Sequence, residues 1–121
     1  MSFVIFYGSE ASAQAPIRIQ FPKGKSSVTI KGSTGPFGVR YVIRAKSGQK
    51  LILTLAPIKP IGVKVETNGS YGEMVLLEEQ QGGTYEIGLE ESGDYTIFIG
   101  STRKTPSSFT LTVKIAKLAD I

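Results

Sequence analysis

Hydrophobic and polar residues alternate along this chain, most regularly in two segments of its last third, 95–99 and 109–115. The residues that this alternation turns inward are Tyr95, Ile97, Ile99, Phe109, Leu111, Val113 and Ile115. A period of two is typical of half-buried antiparallel strands. A Ser92-Gly93-Asp94-Tyr95 turn precedes the first segment, and a polar loop with Arg103 and Lys104 joins the two. The pattern therefore predicts a rigid scaffold that presents a basic loop, a common position for binding groups.

Seven earlier segments continue the pattern, and glycine or proline separates nearly all of them. Their apolar positions are Ile17, Ile19, Phe21, Val28, Ile30, Val39, Tyr41, Ile43, Ala45, Leu51, Leu53, Leu55, Val63, Val65, Tyr85, Ile87 and Leu89, with Met74–Leu77 as the one segment whose alternation is less regular. No window of helical length has a convincing period of 3.6 residues. The chain is thus predicted to form an all-β, antiparallel sandwich or jelly roll of about seven to nine short strands, with little or no helix. Its expected core includes Leu53, Ile97, Leu111 and Val113.

The composition of the 121 residues argues against an enzyme. The chain has no cysteine and no histidine, so it offers no thiol nucleophile, no imidazole base and no zinc site of the usual kind. Two aspartates, Asp94 and Asp120, are too few for a dedicated calcium cage. The adjacent carboxylates of Glu78-Glu79 and Glu90-Glu91 point to opposite faces of a strand, which makes them poor acid–base pairs. We therefore predict no catalytic residue, no metal and no cofactor.

The net charge of +4 comes from 14 basic and 10 acidic residues that are spread along the chain. Scattered charge of this kind is typical of a solvated sheet surface. Nucleic-acid binding is not predicted, because the sequence has neither a dense basic stripe nor a recognised module. An acidic protein partner and an anionic envelope polymer remain as alternatives.

The first fifteen residues differ from the rest. A short apolar run is followed by two overlapping A-x-A patterns, Ala11-Ser12-Ala13 and Ala13-Gln14-Ala15, which indicates the end of a signal peptide cleaved after Ala13. An N-terminal strand packed on the sheet is the alternative. We expect a signal remnant at 1–15, one domain at 16–117, a tail at 118–121 and a periplasmic or secreted location. No stretch approaches the ~20 apolar residues of a membrane span.

Three motifs in order carry a resemblance to a known family. They are Phe21-x-Lys23-Gly24-x-Ser26-Ser27, Ala45-Lys46-x-Gly48-Gln49-Lys50 and Leu89-x-x-Ser92-Gly93-x-Tyr95. Over residues 17–115 the chain resembles the bacterial pre-peptidase C-terminal-like β-sandwiches and, among them, the periplasmic inhibitors of g-type lysozyme. Residues 56–83 match least.

The resemblance implies a protein inhibitor whose loops enter the cleft of a g-type lysozyme. By matching position it assigns six residues to partner binding: Ser92, Gly93 and Tyr95 of the family's Ser-Gly-x-Tyr element, Arg103 and Lys104 in the basic loop before the last strand, and Tyr41 as an aromatic in the third strand. It implies that Ser92 and Tyr95 shape a loop adjoining Arg103. A guanidinium can hold a carboxylate of such a cleft through two charge-assisted hydrogen bonds.

Plainer interpretations of the same residues stay open. The Ser92–Tyr95 segment is also a normal structural turn, in which Gly93 supplies a positive φ. Tyr41 and Tyr95 each share a face with core residues. A second function is also open, an envelope-associated structural or carbohydrate-binding module, for which Phe37, Tyr71 and Phe98 would be the stacking aromatics. The oligomeric state is left open.

Overall fold

The computed structural model describes residues 16–34, 37–69, 72–101 and 107–117. These ranges contain nine strands and no helix, which confirms the predicted all-β fold. The strands are β1 (Ile17–Arg18), β2 (Ser27–Thr34), β3 (Val39–Ala45), β4 (Gln49–Ala56), β5 (Ile61–Gly69), β6 (Gly72–Gln81), β7 (Gly83–Gly88), β8 (Gly93–Ser101) and β9 (Ser107–Lys117).

The strands form two sheets, ordered β1-β3-β8-β5-β6 and β2-β9-β4-β7. All pairs are antiparallel except one, because β1 runs parallel to β3 with Ile17 opposite Tyr41. The backbone N–H of Ile19 extends this pairing by donating to the carbonyl of Val42 at 2.8 Å. The parallel pair departs from the antiparallel expectation. It can form because the chain leaves β1 for β2 in the other sheet, so no tight hairpin has to join β1 to β3.

The inward faces of the two sheets make the core. The four residues predicted to lie there, Leu53, Ile97, Leu111 and Val113, are each 0% exposed, which confirms the inferred strand faces. Each large apolar side chain buried in this way contributes about 1.5–3 kcal/mol. Burial of the alternating apolar side chains is therefore also the main contribution that holds the two sheets together.

Strand β6 is the least regular element, as its weak alternation in sequence indicated. Its register against β5 shifts twice, between Val63 and Val65 and between Val65 and Glu66. The strand lies at the edge of its sheet, where Met74 and Val75 are exposed. A bulged edge strand need not keep one face buried, which explains the irregular pattern.

Strand β8 crosses the whole sheet and defines two ends of the sandwich. Its first residue, Gly93, pairs with Ala45, and its last, Ser101, pairs with Ile61. We call these the Ser92 end and the Ser101 end. Nine residues of strand at about 3.3 Å per residue separate them by roughly 26 Å.

Candidate partner-binding site

Two turns are joined by hydrogen bonds at the Ser92 end. The Ser92 Oγ accepts a hydrogen bond from the backbone N–H of Ser47 at 3.0 Å. The N–H of Gly48 donates to the carbonyl of Leu89, and the N–H of Leu89 donates to the carbonyl of Gln49, both at 2.9 Å. The turn before β8 and the turn between β3 and β4 are thus fixed to each other, so this end presents a rigid surface.

Gly93 occupies a backbone conformation that favours glycine. Its φ is +152°, which confirms the positive φ expected from the turn. A Cβ atom built on it would meet nothing within 4 Å. Glycine is therefore required here by the backbone and not by a close neighbour.

Tyr95 is a core residue with an anchored hydroxyl. It is 2% exposed, its hydroxyl donates to the carbonyl of Glu91, and burial is the main cause that raises its pKa. Tyr85 makes the same bond to the carbonyl of Gln81 at 2.6 Å, again with a positive-φ glycine two residues before the tyrosine. A tyrosine near a strand start that bonds back to the preceding backbone fixes the corner between two sheets. The repetition supports the structural interpretation of the Gly-x-Tyr element.

Tyr41 also faces the interior. It is 5% exposed and packs edge-on against Phe109, with ring centroids 6.4 Å apart. Burial raises the pKa of its phenol. The side chain that the family resemblance would place at the partner surface therefore packs in the core, the alternative that the sequence had left open.

Asp94 connects its own strand, β8, to β1, β3 and β5 on the outer face of the larger sheet. Its carboxylate accepts two hydrogen bonds from the Arg18 guanidinium, at 2.9 and 3.2 Å, and lies 3.8 Å from Arg44. The hydrogen bonds from Arg18 lower the pKa of this carboxyl. The hydroxyl of Thr67 donates to the Asp94 carbonyl at 2.8 Å. Sequence reasoning missed the Arg18–Asp94 pair because 76 residues separate its members and only the parallel β1–β3 pairing brings them together.

Arg103 and Lys104 lie outside the described residues, but the residues that flank their loop are placed. Ser101 pairs with Ile61 and Ser107 pairs with Thr34, and the two serine hydroxyls are 3.2 Å apart. This is the end of the sandwich opposite Ser92. Arg103 itself is not among the described residues, so the expectation that Ser92 and Tyr95 shape a loop adjoining it stays a prediction.

The aromatic residues considered for sugar stacking differ in their surroundings. The ring of Phe98 lies under the Arg40 guanidinium, 5.2 Å from its centroid, in a cation–π contact. It also lies so close to Gly38 that a Cβ there would be 2.5 Å from the ring. Phe98 is thus partly covered, whereas Phe37 is 69% exposed. Tyr71 is outside the described residues.

The described ranges contain neither a cluster of metal ligands nor a membrane-spanning helix. No three histidine, cysteine, aspartate or glutamate residues there lie close enough to hold a metal ion. The same ranges contain no helix long and apolar enough to cross a membrane.

Fold and site together define an antiparallel β-sandwich with turns fixed at one end, and the same sandwich occurs in solved structures. The Aeromonas hydrophila periplasmic lysozyme inhibitor of g-type lysozyme superposes with a TM-score of 0.70 at 25% identity, covering 83% of this chain and 95% of that one. The Salmonella Typhimurium inhibitor of the same description gives 0.66 at 21% identity, covering 85% and 99%. A mutant of the Escherichia coli periplasmic inhibitor of g-type lysozyme gives a TM-score of 0.64 at 22% identity, covering 83% of this chain and 96% of that one. No family model and no curated protein matches the chain.

These likenesses span nearly the whole of each inhibitor, so the shared unit is the complete sandwich. At 21% and 22% identity the Salmonella and Escherichia coli structures establish the common fold alone. The Aeromonas protein adds a higher identity over a similar span. The part of the sequence resemblance that named g-type lysozyme inhibitors thus agrees with the structural neighbours.

Proposed function

We propose that this protein is a non-catalytic, periplasmic or secreted inhibitor of g-type lysozyme, which blocks the enzyme by inserting surface loops into its cleft. The observation that carries the proposal is the backbone likeness to the Aeromonas hydrophila inhibitor, which covers 95% of that chain at 25% identity. The sequence motifs that begin at Phe21, Ala45 and Leu89 also support the proposal, because they point to the same inhibitors without use of the backbone superposition.

Charge complementarity supports the same partner. Glycoside hydrolases use a pair of carboxylates that flank the scissile bond, so their clefts carry negative charge. This chain carries a net charge of +4. Opposite charge on inhibitor and cleft accelerates their association and fixes their orientation.

Within this function we assign the principal contact to the Arg103–Lys104 loop. Arginine binds carboxylates through a planar, bidentate fork, and loops on a rigid scaffold are where binding groups usually lie. Ser92 and Gly93, in the turn that precedes β8, form a second candidate contact. Tyr41 and Tyr95 contribute by holding the strands and the turn in place from the core.

An alanine substitution tests the Arg103 assignment. Arg103→Ala should weaken inhibition of a g-type lysozyme at least tenfold, about 1.4 kcal/mol, and leave the melting temperature nearly unchanged. Lys114→Ala is the matched control, because Lys114 is an exposed basic residue on β9. If Arg103→Ala inhibits like the wild type and Ser92→Ala does not, the contact lies at the Ser92 end and only the residue assignment fails.

Competition tests whether the inhibitor occupies the cleft. Binding of the purified domain to a g-type lysozyme is measured by calorimetry with and without a chitin oligosaccharide that fills the cleft. Loop insertion predicts that the oligosaccharide weakens binding in proportion to its own occupancy. Binding of domain and oligosaccharide at the same time would show that the contact lies elsewhere on the enzyme.

Three finer points belong to the proposal. The first is export, with cleavage of the signal peptide after Ala13. Mass analysis of the periplasmic protein should then give an N terminus at Gln14. Residues 16–117 would form the folded domain and 118–121 a tail. The wider pre-peptidase C-terminal-like relationship stays a prediction. If no lysozyme class is bound, the envelope-associated or carbohydrate-binding module takes the place of the inhibitor.

A further inference from the structure

A cleft of about 360 Å³ opens at the Ser92 end, between the loop that follows β1 and the turn that follows β3. Its volume is within the range of small ligand pockets, about 300–1,000 Å³. Its floor includes Phe21 and Ile115, which are partly buried against the core. Lys25, Arg44 and Lys46 also line it. The cleft therefore combines an apolar floor with a cationic rim.

The charge of this cleft is of one sign. None of the described residues that line it is acidic. Arg44 lies 3.8 Å from the Asp94 carboxylate, a long and exposed contact. Over the described ranges, neither Lys25 nor Lys46 forms an ion pair. Two lysines thus remain available to a ligand, and Arg44 adds to the same field.

Backbone hydrogen bonds fix the walls of the cleft. The N–H of Lys46 donates to Gln49 Oε1 at 2.8 Å, and the turn that contains Lys46 is fixed to Ser92 as described above. The N–H of Lys25 donates to the carbonyl of Pro22, and the N–H of Ile115 donates to the carbonyl of Ser26, both at 2.9 Å. Walls ordered before binding reduce the entropy lost on association.

We propose that this cleft binds carboxylate side chains of an acidic segment on the partner enzyme, an inference that rests on the proposed function. A glutamate has a short apolar stem and a terminal carboxylate, which match the apolar floor and the cationic rim. Exposed lysines are usually only solvated. Convergence of three basic residues on one concave, apolar-floored surface beside the Ser92 turn distinguishes this group from the scattered charges elsewhere.

Charge removal with a matched control tests the inference. The double variant Lys25→Gln/Lys46→Gln removes two charges from the cleft, and Lys31→Gln/Lys114→Gln removes two exposed charges from β2 and β9. The cleft variant should bind a g-type lysozyme at least tenfold more weakly and with a shallower salt dependence, whereas the control should stay within twofold. Equal weakening by both variants, or wild-type affinity of the cleft variant, overturns the inference. Circular dichroism melting verifies that both variants are folded.

A second probe separates this inference from the proposed function. Fluorescein-labelled hexaglutamate peptide at low salt should bind to the wild type and to the control variant, and its anisotropy signal should be lost with the cleft variant. If that discrimination occurs but no g-type lysozyme is bound, the proposed function fails and the carboxylate site stands. If lysozyme binds and neither probe discriminates the variants, the site fails and the function stands. If neither the lysozyme nor the peptide binds to the wild type, the proposed function and the carboxylate site are both refuted.

Discussion

Replacing Tyr95 by phenylalanine removes one hydroxyl from the corner of the sandwich and leaves the buried ring in place. The hydroxyl donates to the Glu91 carbonyl, and the residue is 2% exposed, so water has little access to take over the bond. The net loss for a neutral hydrogen bond of this kind is about 1 kcal/mol. For a domain of this size that corresponds to a melting temperature lower by about 4 °C.

Urea unfolding measures this loss, because the midpoint should fall by about 0.3–1 M at an unchanged m-value. Tyr85→Phe is the matched control, since its hydroxyl makes the equivalent bond from a more exposed position and should cost less. Inhibition by Tyr95→Phe should stay within twofold of the wild type well below the melting temperature. A variant with unchanged stability but lost inhibition would refute the structural role and make the hydroxyl a partner contact.

Three further predictions concern the core, a close contact and an ion pair. Leu111→Ala at a fully buried site should lower the free energy of unfolding by about 2–5 kcal/mol in urea titrations. Gly82→Ala should lower it by about 1–3 kcal/mol, because the new Cβ would lie 2.8 Å from the Leu55 carbonyl oxygen; unchanged stability would contradict the packing. Arg18 lowers the pKa of the Asp94 carboxyl in the folded state below its value in the unfolded state. The Arg18–Asp94 pair should therefore stabilise the fold above the unfolded-state pKa, and this stabilisation should be lost as the pH falls through the folded-state pKa. The difference in urea midpoint between wild type and Asp94→Asn should therefore shrink in acid, and a difference independent of pH would contradict the pairing.

The strands of the core were predictable because burial imposes a period of two. Leu53 and Leu111 were placed by alternation alone, and both are fully buried. Gly93 was predictable for a local reason, since a turn that needs a positive φ favours glycine. The bulged edge strand β6 was weakly predicted, because an edge that is not buried on one face imposes no such period.

The candidate site was less predictable because it depends on contacts between distant residues. The pair Arg18–Asp94 needs the parallel β1–β3 pairing, which no local pattern signals. Ser92 and Ser101 lie at opposite ends of the sandwich because β8 runs over nine residues, from Gly93 to Ser101, and the predicted strand 95–99 already indicated part of that length. The cleft near Lys25 and Lys46 joins two loops from different parts of the chain, which single-sequence reasoning cannot bring together.

The most direct measurement of the proposed function is the muralytic activity of purified lysozymes titrated with the domain. A g-type lysozyme at known concentration should lose activity in a saturable manner as the domain is added, and c-type and i-type lysozymes serve as specificity controls under the same conditions. The proposed function predicts inhibition of the g-type enzyme at micromolar domain or below. Full activity of the g-type enzyme at that concentration, with the domain shown to be folded by circular dichroism, would contradict it.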